Sequence, residues 1–364
     1  MYSIRILAAQ PLRLALTVAG IALCIVLMLF LLGIYRGVFI GSVEYIRSNP
    51  ADLWVVQENT TNILRGFSLL RTVHGDLLRT LEGVDEAAPV LFLLCAVEWE
   101  GRRATVYLTG YDPALGRGGP PALAGGRAVR SDDEIVLDKS FAAKKKIGVG
   151  DQVTLRGESL TVVGLSSGTN AFVIQYAFVT ISRAQKLSGF PGLVSCFLVK
   201  SHTEPQELRN RIREDVPGVD IYTQEEFLAN NITEMESGLL PLLFTVAAIG
   251  GLVLAAILTL LLTINILERR TDIAVMKALG VPASSLTRLV LALAFLLSGA
   301  GTAVALATFF PLCLALERIA PEVTTATSPA HVILAMSVVA FISAVSALLA
   351  VRRARSIYPL EAFQ

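Results

Sequence analysis

Four stretches of this 364-residue chain contain no Asp, Glu, Lys or Arg: Leu14 to Tyr35, Ser237 to Leu267, Leu289 to Leu316 and Val323 to Val351. A helix needs about 20 apolar residues to cross the roughly 30 Å hydrocarbon layer of a bilayer. A lone apolar segment in lipid must also satisfy its backbone polar groups internally, which only a helix does. Each run therefore predicts a membrane-spanning helix, the last beginning near Ala330 once its polar start is trimmed. At 54% hydrophobic and 17% charged residues, with a mean hydropathy of +0.62, the chain is too apolar for an ordinary soluble domain. The first run is weighed against a cleaved leader; no small-residue cleavage site follows it, and it is expected to stay as an anchor.

Basic residues are retained on the cytoplasmic side of a membrane. Arg5 and Arg13 precede the first run, Arg269, Arg270, Lys277 and Arg288 lie between the second and third, and Arg352, Arg353 and Arg355 follow the fourth. In a four-span layout all three groups fall on one side, so both termini are expected in the cytoplasm of a multi-pass protein of the inner membrane. The organisation expected is an N-terminal segment with span one (1–36), an external domain (37–236), span two (237–267), a cytoplasmic helix (268–284), span three (285–316), an external loop (317–329), span four (330–351) and a cytoplasmic C-terminal segment (352–364).

The external segment is long enough to bury its own core. Its short alternating stretches, broken by Gly, Pro and Asp, predict mixed α/β structure. Residues 51–56, 89–99, 103–111 and 196–201 read as strands, and 151–165 as two strands joined by a tight turn at Arg156, Gly157 and Glu158. Residues 204–216 read as a helix with Leu208, Ile212 and Val216 on one face, 110–126 as a surface loop, and 222–237 as a polar helix that runs on into span two. The fold class expected is a membrane protein of four transmembrane helices, with a mixed α/β extracytoplasmic domain inserted between the first two.

No G-x-x-x-x-G-K-[ST], H-E-x-x-H or C-x-x-C pattern is present, and the three His residues, 74, 202 and 331, are far apart in sequence. Neither a phosphate-cradling loop nor a zinc motif is therefore expected, and no nucleophile elbow suggests covalent catalysis. A net charge of +1 leaves no footprint for nucleic acid. The expectation is a non-catalytic membrane subunit without cofactor or metal of its own. The spans hold essentially no ionisable group, His331 standing at the external rim of the fourth, which argues against a proton- or ion-coupled carrier with a midplane site. Small residues such as Gly20, Gly250, Gly251, Gly299 and Gly301 permit close helix approach, within one subunit or across a dimer. Cys95 and Cys196 both fall on expected buried strands, and the sequence leaves a disulfide between them open.

The stretch between spans two and three, ERRTDIAVMKALGVPASSL, is charged yet periodic. Thr271 or Asp272 can cap a helix that carries Ile273, Met276 and Leu279 on one face; Gly280 stands where the helix would end, and Pro282 prevents its continuation. On periodicity alone, this helix either lies on acidic lipid heads or meets a protein partner.

That stretch resembles the loop between spans two and three in permeases of the FtsX/MacB superfamily, where an E-R-R-x-E-I-x-x-x-[KR]-A-L-G pattern forms a coupling helix; here Asp272 replaces the usual Glu. VRRARSIYPLEAF (351–363) is similar to the superfamily's C-terminal ending, and KIGVGDQVTLRGESLTVVGL (146–165) to a hairpin of its external domain. NPADLWVVQENTTNILRGFSLLR and IYTQEEFLANN look most like the DevC group of export permeases. The resemblance implies a permease subunit of a type VII ABC transporter. Its partners would be a cytoplasmic ABC ATPase dimer that carries the ATP and Mg, a second permease copy, and a membrane-fusion adaptor with an outer-membrane duct. Glu268, Arg269, Arg270, Asp272, Ile273, Met276, Lys277, Leu279 and Gly280 would take up the ATPase's motion, the apolar members in a groove and the charged ones around it. The work implied is mechanotransmission: export of a lipid, glycolipid, lipoprotein or peptide. The alternative is an FtsX-like regulator of a cell-wall hydrolase with no transported substrate.

Overall fold

The computed structural model describes residues 11–63, 66–170, 175–268, 282–319 and 328–355, together with Thr271 and Val275. They form two compact units, one external and one of membrane helices.

The external unit is built mainly from residues 36–239. Its strands are β1 (Leu53–Gln57), β2 (Leu70–Arg71), β3 (Val84–Trp99), β4 (Arg102–Tyr111), β5 (Ala122–Gly126), β6 (Glu134–Asp138), β7 (Gln152–Leu155), β8 (Glu158–Ser167), β9 (Tyr176–Thr180), β10 (Leu193–Val194), β11 (Cys196–Ser201) and β12 (Val219–Thr223). The main sheet runs β12-β1-β11-β3-β4-β9-β6-β8-β5. β7 bridges β8 back to the far end of β3, pairing Val97 with Leu155, so that β3, β4, β9, β6, β8 and β7 close into a ring. With a side-chain period of two, each strand of the ring sends alternate side chains inward. Cys95 and Val97, Val106 and Leu108, Ile135 and Leu137, Val153 and Leu155, Leu160 and Val162, and Ala177 and Val179 make one buried cluster inside the ring.

The opposite faces of the same strands enter a second cluster. There Tyr45, at the end of helix α1 (Pro11–Ser48), packs between Phe92 (ring centroids 5.5 Å apart) and Tyr176 (5.4 Å). Covered on both sides, β6 and β9 are buried at every residue, and their centres, Ile135 to Leu137 and Ala177 to Val179, are continuous apolar runs instead of alternating ones. On the outer sheet, Leu53, Val55, Phe197 and Val199 pack beneath α2 (Thr72–Thr80) and α5 (Pro205–Asp215), whose Leu78, Leu208 and Ile212 face them. α3 (Lys139–Lys145) is capped by Asp138, which accepts from Ser140 N (2.8 Å) and Phe141 N (3.2 Å), and α4 (Ile181–Ser188) is capped by Thr180. Cys95 lies in the ring cluster and Cys196 in the Tyr45 cluster, and both are free. The segment 110–126, expected to be all loop, ends in β5, which pairs with β8 along the sheet edge.

The membrane unit is built from the apolar part of α1, α6 (Gln224–Glu268), α7 (Ala283–Ile319) and α8 (Pro329–Arg355). Within these helices Leu14–Ser48, Leu240–Glu268, Thr287–Leu316 and Pro329–Arg352 are long and apolar enough to span a membrane. One buried seam holds them together: Ile21, Ile25 and Leu29 from α1, Leu254, Leu258 and Leu262 from α6, Ala294, Leu297 and Ala305 from α7, and Ala335, Val339 and Ala347 from α8. These repeat mostly at three- and four-residue spacings, one stripe per helix, while Phe244, Leu252 and Phe341 face outward as lipid-facing residues do. Small side chains set the closest approach. A Cβ on Gly301 would overlap Ile21 and stand 2.9 Å from its Cβ, whereas one on Gly299 would meet nothing within 4 Å.

Candidate functional site

The expected coupling segment is bounded by two helix ends. α6 stops at Glu268, which is exposed, and α7 starts at Ala283 immediately after exposed Pro282, with Ser285 N donating to the Pro282 carbonyl at 2.9 Å. The helix thus begins at Ala283, two residues before the start expected for span three. Between the two ends, Thr271 and Val275 are helical and exposed. Arg269, Arg270, Asp272, Ile273, Met276, Lys277, Leu279 and Gly280 lie outside the described residues.

The external unit holds features that the sequence did not single out. Gln224, the first residue of α6, accepts from Trp54 Nε1 (2.6 Å) and Ala51 N (3.3 Å) and donates to the Ile46 carbonyl (2.6 Å). The Ile46 carbonyl needs this partner. Four residues on, where a helix would supply its N–H, the chain has Pro50, which has none. Trp54 stacks on Phe227 one turn further along α6 (ring centroids 4.7 Å). Within this unit, then, the last turn of α1, strand β1 and the first turn of α6 share one buried joint. A second joint follows: Asn231 of α6 accepts from Ile63 N (3.0 Å), and the Ile63 carbonyl accepts from the Tyr107 hydroxyl (2.7 Å). Burial pushes the Tyr107 phenol well above its ordinary value, so it remains a donor at any physiological pH.

Beside Tyr107 the unit encloses a cavity of about 400 Å³. Its walls come from β3 (Leu91 to Leu94), Thr60, Asn62 and Ile63, Gly66 to Leu69, the end of α4 and the start of β11. Phe67, Phe190 and Leu94 line it and are themselves largely exposed, which marks its mouth. Cys196 lines it from within, with its thiol pushed up by burial. Arg156 stands at the edge, on the two-residue turn joining β7 to β8. No trace of a cavity was legible beforehand; the nearest signal is an arginine at a turn position that ordinarily takes Asn or Gly.

Residues 14–215 match the MacB-like periplasmic core domain family, and residues 244–359 match the FtsX-like permease C-terminal family. The chain belongs to the MacB/FtsX-like permeases. Its relatives include an uncharacterized ABC transporter permease found in two strains of Mycobacterium tuberculosis, each copy 26% identical over 315 residues that cover 83% of this chain and 84% of the relative. Among solved structures, the periplasmic region of MacB from Actinobacillus actinomycetemcomitans aligns with 50% of this chain and 92% of its own at 16% identity, with a TM-score of 0.37. The extracellular domain of the noncanonic ABC-type transporter YknZ from Gram-positive bacteria aligns with 48% and 99% at 13% identity, with a TM-score of 0.36. As a MacB/FtsX-like permease the chain is the multi-pass membrane subunit of an ABC-type transporter, and an ABC-type permease has a cytoplasmic ATPase for a partner.

Proposed function

We propose that this permease converts the motion of its ATPase into work done by the external unit, exporting an amphiphilic or peptide substrate. The observation that carries the reading is the placement of ERRTDIAVMKALG inside the FtsX-like match, at the cytoplasmic end expected for α6, a helix whose first turn is bound into the external sheet through Gln224 and Phe227. The ATPase, which carries ATP and Mg, presses on the segment formed by Glu268, Arg269, Arg270, Asp272, Ile273, Met276, Lys277, Leu279 and Gly280. Both termini are cytoplasmic, and this chain itself has no catalytic role. A second copy of the chain completes the permease, and a membrane-fusion adaptor with an outer-membrane duct extends the path.

The test is a pair of measurements on one variant. Met276→Asp sets a charge into an apolar contact and abolishes co-purification with the ATPase, with ATP-driven export lost and membrane insertion kept. Normal association and export by that variant would overturn the assignment. A wild-type pull-down that brings a cell-wall hydrolase with the ATPase, and no adaptor, would replace export by regulation.

A further inference from the structure

The geometry points to the cavity of the external unit as a receptor for a single acyl chain whose anionic head sits at Arg156. The inference rests on the reading of the protein as an exporter and narrows its substrate to anionic, acyl-bearing amphiphiles.

The walls favour hydrocarbon because the side-chain hydroxyls that line them, and the Asn62 amide, which pairs with Thr61 Oγ1 (3.2 Å) and Gly66 N (3.1 Å), are hydrogen-bonded within the protein. The Ser68 hydroxyl donates to the Ser195 carbonyl (2.5 Å) and accepts from Gln57 N (2.9 Å), and Ser195 Oγ accepts from Phe92 N (3.0 Å). Thr60 Oγ1 donates to the Phe67 carbonyl (3.2 Å), and Tyr107 is committed to Ile63. Among the described residues, none of the buried polar side-chain atoms lacking a partner belongs to this cavity. An occupant with amide or hydroxyl groups would find no unpaired buried side-chain atom there to replace its water, which disfavours a strongly polar guest. An alkyl chain loses only unfavourable hydration, and the volume is in the range of small-ligand pockets.

The head is assigned by Arg156. Its guanidinium donates to the carbonyls of Leu187 (2.6 Å) and Ser188 (3.3 Å), both neutral, and among the described residues no carboxylate lies within ion-pair distance of it. Neighbouring Glu158 is taken by Arg183 and Lys186, each at 2.9 Å. A full positive charge thus stands at the edge of an apolar chamber. The backbone gives a second sign. Arg156 holds φ = +47° and Gly157 φ = +87°, a left-handed pair that suits Asn-Gly and strains an arginine. Keeping arginine there puts its side chain at the cavity's edge at the expense of an easier turn.

The experiment uses the full-length chain in phosphatidylcholine nanodiscs without ATPase. It is photolabelled with diazirine-bearing dodecanoic acid or the matching dodecanol, and the labelled peptides are located by mass spectrometry. The acid should label residues 66–69, 91–94 and 190–196 saturably, with unlabelled dodecanoate competing. Arg156→Asn, which fits the turn better than arginine and so leaves the fold intact, should lower acid labelling of these peptides about tenfold, the scale of one charge-assisted contact, with dodecanol labelling unchanged. Arg156→Lys should restore most of it. Labelling confined to the membrane helices, or acid labelling indifferent to Arg156, would overturn the proposal. ATPase association is read separately, so a failed export reading with cavity labelling intact is distinguishable from an empty cavity in a working exporter.

Discussion

Replacing Gln224 by Met tests whether the joint between α1, β1 and α6 is as strong as its geometry implies. Met keeps the length and the apolar stem but removes three hydrogen bonds. The Trp54 N–H, on a fully buried side chain, is left without a partner, at about 1–3 kcal/mol. The Ile46 carbonyl, already deprived of a helical donor by Pro50, loses about 1–2 kcal/mol more, and the longer bond from Ala51 adds less than about 1. The expected destabilisation of the external unit is about 3–5 kcal/mol. Its only two tryptophans, 54 and 99, both belong to that unit, so urea unfolding of the full chain followed by tryptophan fluorescence reports the unit without interference from the membrane helices. With a slope of about 2 kcal/mol per molar urea, the midpoint should fall by about 1.5–2.5 M. Trp54→Phe removes the same bond from the other side, with Trp99 remaining as reporter. The double variant should therefore be less destabilised than the sum of the single ones by about 1–2 kcal/mol. A midpoint shift under about 0.5 M for Gln224→Met, or plain additivity in the cycle, would refute the reasoning.

Two further perturbations probe other parts of the chain. Gly301→Ala should destabilise the helical seam by about 1–3 kcal/mol through overpacking against Ile21, while Gly299→Ala, with open space around its Cβ, should be neutral; heat-induced loss of the monodisperse peak in gel filtration of both variants checks the difference. Glu134, gripped by Arg127 and by Arg130 N, is held down from 4.5 to about 2. Its folded value is depressed, so the stability it contributes is full above pH 4.5 and is lost as the pH falls toward 2. Acid unfolding of Glu134→Gln should accordingly show a shallower pH dependence across that window, and an unchanged profile would count against the pairing.

Spans were legible because lipid imposes a one-dimensional rule: a run of about 20 residues without charge has to be helical. The β7–β8 hairpin and α5 were legible for a similar reason, since turn chemistry and a four-residue apolar spacing are local properties. The short strands β6 and β9 escaped because both of their faces are covered, which removes the alternation that reveals a strand. In α1, the thirteen residues after Tyr35 continue the helix into the external unit because Tyr45 is buried among Phe92 and Tyr176, contacts made at great sequence distance.

By itself, then, the sequence determined what the membrane and nearest neighbours enforce: four spans and an α/β insertion between the first two. Only the tertiary structure decided that six strands close into a ring, that Gln224 ties two helices and a strand together, and that Arg156 stands at the edge of an apolar chamber. Those outcomes depend on which side chains meet across stretches of chain from dozens of residues in the ring to well over a hundred at Gln224, and no local pattern encodes such meetings.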